Sequence, residues 1–180
     1  NHAWTSFFWF HDVNAMYADY LKLKEYANMH TTVHTIELMT NILTNLENAT
    51  RVGLFDSERF GKEVQDLKTI KERKELSQAS RLFLELFFSE HRLLQMVHCA
   101  QDPTPELKKL VELIETSANY LDISFDAQIS IVEMIGRVID DNEEYEKLID
   151  KVSEISSLRK SEIEGAIIHF NRAQTLIDKQ

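Results

Sequence analysis

Almost nothing in this chain interrupts a helix. It has 4 Gly and 2 Pro in 180 residues, and its apolar side chains recur at spacings of three and four instead of alternating. The chain therefore reads as all-α. The few breakers divide it into four segments, predicted as helices over about 4–52, 57–100, 104–140 and 142–179. At 1.5 Å per residue such rods run roughly 55–75 Å. Short connections make neighbours antiparallel, so the expected architecture is a single-domain, long antiparallel up-and-down four-helix bundle with both chain ends at the same end.

Each segment carries its own stripe. In the first, Tyr26, Met29, Val33, Ile36, Met39, Leu43 and Leu46 form a heptad-like seam that Gly53 ends, after which Asp56 or Ser57 offers an N-cap. The second opens on Phe60, Val64 and Leu67, reaches the charged run "KTIKERKEL", where the sequence leaves both a continuous and a broken helix open, and closes on "LFLELFF", apolar on nearly every side. A helix with so little polar face is buried on several sides or sits in a dimer contact. "DPTPE" stops it and opens the third, whose stripe includes Leu107, Ile114, Leu121, Phe125, Val132 and Ile135. The fourth carries Tyr145, Leu148, Val152, Ile155, Ile163, Phe170 and Ile177.

Charge narrows the function. With 20 Lys+Arg against 30 Asp+Glu the formal net charge is -10, which repels phosphate backbones and argues against nucleic acid as a partner. One cysteine, Cys99, excludes an intrachain disulfide and leaves the compartment open. No stretch reaches the ~20 apolar residues of a membrane span. The chain opens on Asn, as expected of a processed protein or a domain cut from a longer one. Trp4, Phe7, Phe8, Trp9 and Phe10 crowd its first turns, a composition suited to a core, a dimer contact or a membrane–water interface.

The stretch most like chemistry is "HTTVHTIE". On one continuous helix His30, His34, Glu37 and Asn41 share a polar stripe. Imidazoles at i and i+4 with a carboxylate one turn on suit a divalent ion. The Glu-x-x-His pattern of di-iron bundles is missing, however. A polar helix edge is the favoured reading, with His30, His34 and Glu37 as the metal-site alternative and no cofactor expected. Arg92 and His98 resemble the Arg-then-His motif of HEPN-type ribonucleases. Six residues of regular helix turn that pair ~240° apart, and the acidic surface opposes an RNA substrate. Catalysis by Cys99 has no adjacent base on its face, so no enzyme is expected.

Glu47 and Arg51 form an i,i+4 pair near the end of the first segment. Together with His30-Thr31 (or His34-Thr35) and Gly53, they resemble the first helix of all-helical extracytoplasmic sensor domains of bacterial histidine kinases and chemoreceptors. The resemblance covers about 30 residues. It implies a periplasmic, ligand-sensing, homodimeric module between two transmembrane helices of a signalling receptor. The ligand is a small molecule or a periplasmic protein, contacted through Arg51, His30 and His34. The alternative is a cytosolic helical protein-interaction module.

Overall fold

A computed structural model describes residues 12–139 and 142–158. Among these there are seven helices and no strand, so the all-α class holds. They are α1 (Val13–Met29), α2 (Val33–Arg51), α3 (Ser57–Lys71), α4 (Gln78–His98), α5 (Thr104–Ser117), α6 (Phe125–Gly136) and α7 (Glu143–Leu158). The aromatic opening and the far half of the fourth expected helix lie outside the described residues.

Three of the four long rods are corrected. Helices run from 12 to 21 residues, because the first three predicted segments each contain a break that no Gly or Pro marks. The first is made by threonine. Thr31 Oγ1 donates to Ala27 O (2.7 Å), Thr32 Oγ1 accepts from Thr35 N (3.1 Å), and Thr32 N donates back to Thr35 Oγ1 (2.9 Å). This reciprocal capping box ends α1 and starts α2. In the second segment α3 stops at Lys71 and Ser77 Oγ accepts from Ser80 N (3.1 Å) to start α4. In the third, Ser124 Oγ accepts from Ala127 N (3.1 Å) and opens α6. The expected stop at Gly53 is present: its φ is +76°, and Leu54 N reaches Ala49 O at 2.8 Å, a left-handed helix end that favours glycine.

Rephasing at the breaks moves residues off the expected stripes. Val33, Ile36, Met39, Leu43 and Leu46 are buried, whereas Tyr26 and Met29 are 52% and 70% exposed. Leu121, which falls in the α5–α6 connection, is 85% exposed. In α4, Phe83, Leu84, Leu86, Phe87 and Phe88 are all buried within the chain.

The chain forms two compact units, residues 1–84 and 85–180, and α4 runs unbroken through the boundary. In unit 1, α1 packs on α2 and α2 on α3 through turns of a few residues. In unit 2, α7 packs on both α5 and α6. Its core joins Leu93, Leu107, Ile114, Ile135, Leu148 and Val152, with Tyr145 Oη donating to Val132 O at 3.2 Å.

Candidate functional site

The histidines of "HTTVHTIE" do not make a ligand set. His30 is the C-cap of α1, its ring 5.0 Å from that of Tyr26, and His34 opens α2 on the far side of the capping box. Both are exposed. Because the helix breaks between them, the i,i+4 register that would aim both imidazoles at one ion is lost. Among the described residues no group of three His, Cys, Asp or Glu is placed to hold a metal. The string holds the capping box that joins α1 to α2.

Arg51 keeps the partner the sequence gives it. Its Nη2 donates to Glu47 Oε1 at 2.8 Å, with the Glu47 side chain 6% exposed and that of Arg51 23%. The guanidinium ends α2 beside Val52 and Leu54, which are 69% and 65% exposed. Arg51 and His34 are 17 residues apart on one straight helix, about 25 Å. The structure therefore does not bring His30 and His34 into a common site with Arg51.

Arg92 and His98 both line one open depression of about 520 Å³ with Gln95, Met96, Cys99 and Gln101. Just beyond His98, where α4 stops, Ala100 takes φ 53°. Arg92 also reaches Glu106 (3.2 Å), a buried carboxylate that accepts the buried Ser89 hydroxyl at 2.5 Å and Lys109 at 3.3 Å. Arg92 is thus part of the α4–α5 packing.

The most concentrated polar chemistry was not foreseen. Between α1 and α3, Glu63 is 1% exposed. Its Oε1 accepts from Tyr17 Oη (2.9 Å) and its Oε2 from Lys24 Nζ (2.6 Å), while Lys24 also reaches Asp66 at 2.5 Å. Tyr20 is fully buried in the same cluster, and its hydroxyl makes no regular hydrogen bond. The signal was legible. Lys24 stands eight after Met16 and four after Tyr20 on the buried stripe of α1. Glu63 stands among Phe60, Val64 and Leu67 on that of α3. Opposite charges on two apolar stripes mark a buried ion pair.

Burial, then the charges of Glu63 and Asp66, push the Tyr20 phenol far above its usual range. Burial and the bond to Glu63 raise Tyr17 as well. For Lys24 burial acts downward, but the bonds to Asp66 and Glu63 outweigh it and its pKa is raised. All three groups hold their protons more tightly folded than unfolded. Their stabilisation is complete below about pH 10 and is lost as pH rises above it. Thermal melts are expected to drop steeply from about pH 10 upward, and Tyr20→Phe to drop less. At neutral pH the same change is expected to stabilise by up to about 1 kcal/mol, since it removes a buried hydroxyl without a partner. Urea titration of the two proteins measures this.

Comparison with protein-family models, curated proteins and solved structures found no match to this chain.

Proposed function

We propose that this chain is a non-catalytic sensing module of a transmembrane signalling receptor, an antiparallel helical bundle outside the membrane that binds a small ligand or a partner protein. One observation carries the reading: a guanidinium fixed at the end of α2 by a buried carboxylate, beside two large exposed apolar side chains, Val52 and Leu54. Arginine has five donors and Glu47 occupies one. The others suit an anionic ligand that also carries an apolar part. The receptor setting draws on the resemblance through Glu47, Arg51 and Gly53. No helix of the described residues is long and apolar enough to cross a membrane. In this reading the spans flank the domain.

The short helices change how a signal would travel. A piston of one 49-residue rod is replaced by a shift of α1 against α2 across the capping box. The module works as a homodimer in this reading, and gel filtration tests that separately.

The ligand site is tested by a thermal-shift screen of short apolar carboxylates and carboxylate-ended peptides. A ligand is expected to raise the wild-type melting temperature by several degrees, leave Arg51→Ala unmoved and retain part of its effect on Arg51→Lys. A ligand that stabilises Arg51→Ala equally refutes the site. Alkaline phosphatase fused within the domain in the full-length gene product is expected to be active, and an inactive fusion excludes the extracytoplasmic setting. A cytosolic helical interaction module is the second reading.

A further inference from the structure

The opposite end of unit 1 carries a different surface. It is formed by the end of α1, the α1–α2 turn and the α3–α4 connection. α1 and α3 run side by side in the same direction. Tyr17 and Lys24 reach Glu63, Lys24 reaches Asp66, and Arg73 Nη2 donates to Asn28 Oδ1 at 2.9 Å. Tyr26 and Met29, exposed on α1, therefore stand at the same end as Lys68, Arg73 and Lys74.

Several cations at this end stand outside the ion pairs of the described residues. Lys22, Lys24, Arg51, Arg92, Lys109, Lys147 and Lys151 all meet carboxylates. Lys68, Arg73, Lys74 and Arg81 are in no ion pair among the described residues. The two guanidinium groups here bond only neutral oxygens: Arg73 that of Asn28, and Arg81 the carbonyls of Lys71 (2.7 Å) and Arg73. Their bonds brace the connection and leave both charges uncancelled. Residues 68–81 hold five cations against two acids, Glu72 and Glu75, in a chain of net charge -10.

Unpaired cations at the same end as exposed Met29 and Tyr26 complement one kind of partner. We infer that this end of unit 1 docks an acidic segment of another protein that presents carboxylates beside apolar side chains. The carboxylates meet Lys68, Arg73 and Lys74, and an apolar side chain covers Met29 and Tyr26. Methionine fits this task because its unbranched thioether adapts to different apolar partners. This surface lies about 25 Å along α2 from the Arg51 end and stands whether or not Arg51 holds a ligand.

The probe is a fluorescein-labelled helical peptide of about 16 residues, glutamate along one face and leucine along the other. Fluorescence anisotropy with the whole chain is expected to give micromolar binding that weakens with salt. Lys68→Glu with Lys74→Glu is expected to weaken it about tenfold or more, and Met29→Ser several-fold. Reversal of the exposed Lys108 and Arg137 is the control and is expected to change little. Lys68, Lys74 and Met29 are exposed, so unchanged melting temperatures show that the variants fold. Equal affinity for wild type and the double reversal overturns the inference, and so does the absence of binding. Stronger binding to phosphatidylserine vesicles than to the peptide also overturns it, and assigns the surface to a membrane.

Discussion

Replacing Lys24 by Met is expected to destabilise the protein by about 3 kcal/mol, a fall of roughly 6–12 °C in melting temperature. Lys24 Nζ lies 2.6 Å from Glu63, whose side chain is 2% exposed. Methionine fills much of the same space but leaves that carboxylate buried with only the Tyr17 hydroxyl as a described partner. Desolvation of an uncompensated charge is what makes breaking a buried pair costly. The Lys24 side chain is 19% exposed, so some water reaches the site and the loss falls at the low end of the usual range. Removing both charges, Lys24→Met with Glu63→Leu, is expected to recover all but about 1 kcal/mol, because nothing charged is then left buried. Urea unfolding of the wild type, the single and the double variant gives the comparison. A single variant within 0.5 kcal/mol of wild type would mean that water solvates Glu63 in the folded state.

The same cluster shows how far a sequence of this kind can be read. Helical class follows from spacing and from the scarcity of breakers, and the structure keeps it. The number of helices does not, since glycine and proline are not the only residues that end a helix. Thr32 and Thr35 cap α2 through hydroxyls that are equally at home inside a helix, bonding a carbonyl one turn back. Whether a threonine caps or continues is decided by the chain around it. Here Arg73, 45 residues away, donates to Asn28 in the last turn of α1. Ser77 and Ser124 present the same ambiguity at the later breaks. Glu47 and Arg51 were legible as a pair because four residues of continuous helix suffice to place them. His30 and His34 have the same spacing, but they need the helix that Thr32 interrupts. Local spacing is reliable only within an unbroken helix.

Leu148→Ala and Leu121→Ala put that conclusion to a quantitative test. Both leucines lie on stripes predicted to face the core. Leu148 is fully buried in the unit 2 core, on α7 between α5 and α6. Truncating it removes three methyl or methylene equivalents from water-free surroundings and leaves a cavity that rigid helices close only in part. The expected cost is about 3–4 kcal/mol. Leu121 lies in the connection between Ser117 and Ser124, 85% exposed, and its truncation is expected to change stability by less than about 0.5 kcal/mol. The contrast depends on the break. Were α5 to continue through 118–124 into α6 as one rod, Leu121 would follow Ile114 by seven residues on the buried stripe and cost as much as Leu148. Denaturant unfolding of the two variants therefore measures whether that helix is interrupted in solution. A loss above 2 kcal/mol for Leu121→Ala would restore the continuous rod.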